Sequence, residues 1–325
     1  MEPMSEPLFH FTQTPETFLV EEELLYPISG TGAFRFCMIE KRGLSTVQLK
    51  KKVSEQTGVP LRWIKHAGLK DRMATARQWL AWPKSRERHA PESGDQYHIL
   101  LQTAHHRTLH IGHVAQNHFS LLVQHGQNTP LCENLARVFP NFYGTQRFAN
   151  YDPDQPLWPE RKNAFLVSQY QAALFNLYLR ERWKQSRLTL HEGDLFTRTN
   201  GKRVFKVQST DELKSDLSTQ PALPTGPLPG YKMIQAETEF ELRFLQRHCP
   251  DLERFRQFGK IAKGARRPLW VSANNLKIQS IDTRTSKLAF SLPSGSYATI
   301  YISYLCNSSF YEKPQLDWPQ YAFKL

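Results

Sequence analysis

Short strand-like runs closed by Gly, Pro, Asn or Asp fill residues 16–125 and return after 276, and the longest helical pattern lies between them at 163–185. This order constrains the fold more than any single motif does. Strand-rich ends around a helix-rich middle imply either one α+β domain interrupted by an insertion or two consecutive domains divided near residue 150. A length of 325 residues provides for about two domains in either case.

The local signals fill in this outline. Phe34–Ile39 reads as a buried strand. Residues 45–57 read as a helix with Ser45 as N-cap, Gln48 closing a capping box and Gly58 at the stop. Strands are expected at 61–66 and 77–82, joined by the polar connection Ala67-Gly68-Leu69-Lys70-Asp71-Arg72, and again at 98–102, 108–111 and 119–124. In the last of these, Phe119, Leu121 and Val123 share one face. Thr129-Pro130 opens a helix, and the helix at 163–185 carries Leu166, Tyr170, Leu174 and Leu177 on one stripe. Asn200-Gly201 is a hairpin turn between strands at 194–199 and 203–207, and the proline-rich stretch 218–230 reads as a loop. Helical patterns at 236–247 and 252–258 precede strands at 276–281 and 287–292.

Composition narrows the function. Forty-two Lys and Arg against 30 Asp and Glu give a formal charge of +12, which favours a polyanionic partner, nucleic acid first. The first residues lack the basic and apolar stretches of a secretory signal, and no apolar run is long enough to span a membrane, so a cytoplasmic protein is expected. Cys37, Cys132, Cys249 and Cys306 are too scattered for a zinc site or a disulfide framework. The histidine-rich stretch from His105 to His118 brings no Cys or carboxylate to make a metal site. No phosphate-cradling glycine loop occurs, so a nucleotide cofactor is unsupported.

Asp71 is the acid singled out for chemistry. It lies on a short connection between two apolar runs, where Lys70 and Arg72 can keep it ionised, and one carboxylate suffices as nucleophile or base on a sugar anomeric carbon. Tyr143 and Arg147, in a segment that mixes rings with cations, suit stacking and phosphate contact on RNA. Lys260, Lys263, Arg266 and Arg267 form the densest cationic stretch and read as a phosphate-binding surface.

Residues 66–72 (HAGLKDR), followed by Thr75-Ala76-Arg77-Gln78-Trp79, resemble the A-G-x-K-D…T-x-Q segment of the TruD family of tRNA pseudouridine synthases. Other stretches agree in order. Residues 14–22 (TPETFLVEE) are similar to the family's P-E-D-F-x-V-x-E. Gly112–Phe119 resembles its G-N-x-F, 140–148 (PNFYGTQRF) its P-N-[YF]-F-G-x-Q-R-F, and 292–299 (LPSGSYAT) its L-P-x-G-S-[FY]-A-T. Segments 161–176 and 219–226 follow two further family motifs more loosely, and the resemblance runs from about 14 to 305.

The resemblance implies an α+β fold, a pseudouridine-synthase-type mixed or antiparallel sheet with flanking helices. The catalytic domain would comprise 1–138 and 271–325, interrupted by an inserted α+β domain at 139–270. It implies a cofactor-free, metal-free isomerase acting on tRNA, at uridine 13; a monomer is expected. Asp71 would be the catalytic residue, Asn117 and Phe119 would position the uracil, and Lys70 or Arg72 would hold phosphate or the Asp. Tyr297 would pack beside the site. Two departures stand out. The family commonly has Phe at the position of Tyr297, and a Lys or Arg where this chain has Thr12, so an ion pair to Asp71 from that side is not expected. The other reading of the same scaffold is a non-catalytic tRNA-binding or RNA-folding protein.

Overall fold

The computed structural model describes residues 9–126, 135, 137–148, 151–160, 162–186, 192–198, 203–206 and 222–306. In chain order the elements are β1 (Phe18–Leu24), β2 (Phe34–Lys41), α1 (Thr46–Thr57), β3 (Lys65–His66), β4 (Thr75–Pro83), β5 (Tyr97–His105), β6 (Val114–Gln124) and β7 (Val138–Pro140). They continue with α2 (Ala164–Ser186), β8 (Leu195–Arg198), β9 (Val204–Lys206), β10 (Ala222–Leu228), α3 (Glu239–His248), β11 (Ala265–Pro268), β12 (Trp270–Ser272), β13 (Asn274–Ser280), β14 (Thr285–Pro293) and α4 (Ala298–Cys306). The described chain divides into two compact units, one built from residues 9–137 and 272–295, the other from 138–271 and 296–306.

The first unit is a mixed sheet in the order β13-β14-β6-β1-β4-β2-β5, with β3 added beside β4. Only β1 and β4 run parallel. Helix α1 covers one face. The Ser45 hydroxyl accepts from the Gln48 amide N–H, the Gln48 side chain returns to the Ser45 N–H, and Gly58 closes the helix at φ 71, a conformation that a side chain would strain. Its buried Leu49 and Val53 pack with Cys37, Ile39, Leu80 and Trp82. Phe36, Trp79, Ala81, Leu109 and Val114 form the core on the other face. Because strand side chains alternate, the register lines up Phe18, Val20 and Glu22 of β1 beside Phe119 and Asn117 of β6, then Phe290 and Leu292 of β14.

Two expected strands differ here. Residues 61–66 form a 3-10 turn, Leu61–Trp63, before the two-residue β3, because Pro60 precedes a turn that closes on its own carbonyl. Residues 108–111 form a connection anchored by buried Leu109 and by the Gly112 N–H to the Ala67 carbonyl.

The second unit holds the four-stranded sheet β11-β10-β8-β9 and the pair β12-β7. Helix α2 is buried on every side from Ala172 to Leu179, wider than the single stripe expected. The proline-rich stretch is a strand over Ala222–Leu228, not a loop. Residues 222–224 pair with β8 and 225–228 with β11, and the two pairings meet at Pro224, whose carbonyl accepts the Leu269 N–H at 2.9 Å, so the strand changes partner at a residue that has no N–H to donate. Thr238 caps α3, and Gly259 (φ 62) breaks the 3-10 turns over Glu253–Ala262. Helix α4 belongs to this unit, with Tyr301 against Phe139 at 4.7 Å between ring centroids, whereas the division drawn from the sequence groups it with the outer strands. Thr129-Pro130, Cys132, Asn200-Gly201 and 218–221 lie outside the described residues.

Candidate active site

The connection 67–74 between β3 and β4 is fixed by its backbone. The Lys70 N–H donates to the Thr46 hydroxyl at 2.9 Å, and that hydroxyl donates to Gln78 Oε1 at 3.0 Å. The Lys41 ammonium, fully buried at the end of β2, donates to the Asp71 carbonyl at 2.7 Å and to the Leu44 carbonyl at 2.6 Å. Arg72 Nε donates to the Gly43 carbonyl at 2.9 Å. A loop held at successive residues presents Asp71 with little freedom, as a reacting group requires.

Burial raises the Asp71 carboxyl above its ordinary value, while a hydrogen bond from the Gln13 side chain and the charges of Lys41 and Lys70 pull the other way. Burial likewise drives the Lys41 ammonium down to about 8, against the attraction of Asp71. Lys70 Nζ lies 3.0 Å from Glu22 Oε1 and donates to Asn117 Oδ1 at 2.6 Å. The other Glu22 oxygen accepts the Trp79 N–H at 3.0 Å. A carboxylate so placed, with cations nearby and water partly excluded, can act as a nucleophile or a base.

The structure therefore brings Asp71, Lys70 and Asn117 together. Phe119 lies on the same face of β6, two residues from Asn117. It is 8% exposed, stacked on Phe290 at 5.4 Å and tilted against Phe18 at 5.8 Å. Arg72 is exposed and bonded to Gly43. The expected pair of flanking cations is thus a pair of lysines, Lys70 and Lys41. Gln13 supplies a contact from the same N-terminal segment as Thr12, where the sequence predicts no ion pair. Sequence reasoning misses Glu22, Lys41 and Gln13. The first two carry a signal, because they continue the inward alternations Phe18-Val20-Glu22 and Cys37-Ile39-Lys41, where a charge is out of place unless it has work.

In the second unit, the Tyr143 ring meets Tyr297 at 6.0 Å and Phe175 at 5.8 Å, with the Arg267 guanidinium 4.0 Å and that of Arg147 5.7 Å from its centroid. A Cβ on Gly144 would come within 2.9 Å of the Tyr297 ring, so only glycine permits this packing. Arg267 is buried and donates to the Asn141 backbone oxygen at 3.1 Å and to Asn141 Oδ1 at 2.6 Å. Arg266 is 2% exposed and pairs with the fully buried Glu241, at 2.8 Å from Nη2 to Oε2. Lys260 and Lys263 are exposed. The cationic stretch expected to act as one surface is therefore split, since desolvated guanidiniums bind carboxylate and amide oxygens inside the unit. Among the described residues no group of three His, Cys, Asp or Glu side chains could hold a metal ion, and no helix is long and apolar enough to cross a membrane.

The family model described as tRNA pseudouridine synthase D (TruD) matches residues 10–155 and 157–303. The tRNA pseudouridine synthase D of Wolinella succinogenes is 30% identical over 92% of this chain and 95% of its own length. That of Helicobacter pylori strain P12 is 29% identical over 90% of this chain and 91% of its own. A Methanosarcina mazei crystal structure assigned to the same family superposes with a TM-score of 0.65 over 94% of each chain, at 18% identity, and shows the fold. The chain belongs to the TruD family of tRNA pseudouridine synthases.

Proposed function

We propose that this protein isomerises uridine to pseudouridine in tRNA, at position 13, with Asp71 as the catalytic carboxylate. The observation that carries the reading is the partly buried Asp71 carboxyl on a pinned loop, faced by Gln13, Lys41 and Lys70. The names of the chain's relatives support the substrate class. The target uridine leaves its stack for the site, a step that any enzyme acting on a stacked base needs. Asp71 either attacks C1′ as the C1′–N1 bond breaks and is displaced from C1′ when C5 bonds there, or removes the C2′ proton as the C1′–N1 bond breaks and returns it to C2′ when C5 bonds to C1′. The freed uracil turns, C5 bonds to C1′, and the C5 proton is lost to solvent while N1 gains one. Atoms and charge balance without an oxidant or a cofactor.

Asn117 and Phe119 position the uracil, and Lys70 holds Asn117 and balances Glu22. Residues 1–138 with 271–325 are read as the catalytic domain and 139–270 as the insertion. Tyr143, Arg147, Lys260 and Lys263 are the proposed RNA contacts in the insertion. The enzyme acts as a monomer.

Tritium release from C5-labelled uridine in unmodified tRNA tests the reading. Wild-type protein should release label, and Asp71→Asn should lose at least about a thousandfold in single-turnover rate while keeping tRNA affinity within a few-fold. An Asn variant that reacts at a comparable rate would remove Asp71 from the role. Binding without any release by the wild type would leave a tRNA-binding protein.

A further inference from the structure

A cleft of about 440 Å³ opens in the first unit between α1, the segment 64–66 and the connection 109–111. Lys50, Lys65, His66 and His110 line it with Ile64, Leu109 and Ile111. None of these lining residues is acidic. The polar groups are held in place: Lys65 Nζ donates to the Arg62 carbonyl at 2.8 Å, His66 Nδ1 lies 3.0 Å from the Gly68 carbonyl, and the His110 ring meets His113 edge-on at 5.2 Å. Like charges gathered without a lining counter-charge repel one another, and an anion entering between them relieves that repulsion. Burial and the charge of Lys65 hold Lys50 below its ordinary value, and burial with Lys50, Lys65 and Lys70 does the same to His66.

The apolar part of the wall decides the kind of anion. Ile64 and Leu109 are fully buried, but Ile111 is 78% exposed at the rim, where an apolar face can cover a base or ribose. The volume is that of a small-ligand pocket and suits a nucleotide better than bare phosphate. His66 also begins the loop that carries Asp71, so only the four residues Ala67–Lys70 separate this cleft's wall from the candidate active site.

We propose that this cleft binds one nucleotide of the substrate RNA other than the reacting uridine, its phosphate between Lys50 and Lys65 and its base or ribose against the exposed Ile111. The proposal rests on the reading of the protein as a tRNA enzyme. The cleft is a docking point outside the chemistry, so it should govern affinity and leave the chemical rate alone.

The test measures tRNA affinity against salt in the Asp71→Asn background, so that it does not depend on turnover, for the parent, Lys50→Gln/Lys65→Gln and Lys51→Gln. Lys51 lies next to Lys50 but is exposed and paired with Glu55, and its variant should match the parent. The double variant should bind about tenfold more weakly, with a log–log salt slope smaller by about 1.4 to 1.8, because each lost phosphate contact removes about 0.7 to 0.9. With Asp71 restored, its single-turnover rate at saturating tRNA should stay within about threefold of wild type. Equal urea midpoints for parent and variants establish that the fold is intact. An unchanged slope overturns the proposal, as does unchanged affinity with a lost rate. Uridine monophosphate that perturbs the His66 ring resonances and binds as tightly as tRNA would overturn it too, by assigning a free-nucleotide site. A wild type that binds tRNA but releases no tritium would sink the catalytic reading and leave this result standing.

Discussion

Two buried cations, Lys41 in the first unit and Arg266 in the second, show how differently the same formal charge can be used. Arg266 is bidentate to the fully buried Glu241 and also donates to the Thr225 carbonyl at 2.7 Å. Its charge is neutralised within the fold. Arg182 repeats the arrangement, 1% exposed against Asp194 at 2.5 Å and 2.7 Å. Lys41 is as deeply buried, yet its ammonium donates to two backbone carbonyls, and one of them belongs to Asp71. Burial lowers its proton affinity to about 8, near neutrality, whereas a guanidinium stays charged wherever it is placed. A planar fork closed on a carboxylate makes a structural joint; a point charge held by carbonyls leaves an adjustable field around the partly buried Asp71 carboxyl.

The largest effect should come from breaking the joint. Glu241→Gln removes the counter-charge while keeping the shape, and leaves Arg266 buried with an uncompensated charge. Loss of one partner of such a pair typically removes about 3 to 5 kcal/mol of stability. The urea midpoint should fall strongly, and the salt slope of tRNA binding measured under folded conditions should not change. A variant as stable as wild type would mean that this pair is not the structural element its burial indicates.

Lys41 offers the sharper contrast, because its folded-state proton affinity is depressed from 10.5 to about 8. The fold disfavours the charged form, so the group's contribution to stability is fully present above pH 10.5 and is lost as pH falls from there through about 8. Lys41→Met should flatten that part of the stability-against-pH curve relative to wild type, as urea midpoints at pH 8 and pH 10.5 would show. The same substitution removes a charge that pulls the Asp71 proton affinity down, so the acid limb of the single-turnover rate should move to higher pH. An unmoved limb would separate Lys41 from the electrostatics of Asp71.

Much of this architecture is legible in the amino-acid sequence. The capped helix, the pinned Ala67–Arg72 connection and the inward face of β6 follow from local chemistry: a cap, a turn and a two-residue alternation are each written in adjacent residues. The electrostatic partners are not, because they depend on register between segments distant in the chain. Glu22 meets Lys70 only because β1 lies between β4 and β6. Lys41 reaches Asp71 only because β2 pairs with β4 on the side away from β1. The proline-rich β10 has the sequence of a loop for a related reason. Its prolines are tolerated through how each half of the strand is paired, which no local rule encodes. The cationic stretch 260–267 is the most instructive miss: counting charges cannot tell a guanidinium committed to Glu241 from an ammonium in water.

That last distinction gives the smallest and most discriminating prediction. Lys260 and Lys263 are exposed in the second unit, while Arg266 and Arg267, a few residues on, are enclosed by Glu241, Asn141 and the Tyr143 ring. If the stretch contacts phosphate through its exposed members, Lys260→Gln/Lys263→Gln should lower the log–log salt slope of tRNA binding by about 1.4 to 1.8 and leave the urea midpoint where it was. Arg267→Gln should do the opposite. It keeps an amide able to reach Asn141 but removes the guanidinium stacked on Tyr143, so stability should fall while the slope holds once the protein is folded. Measuring both quantities for both variants separates a charge facing solvent from a charge holding an aromatic cluster. A slope that drops for Arg267→Gln with stability unchanged would show that burial in the free protein does not keep this side chain from the RNA, and the contrast between the two kinds of cation would have to be redrawn.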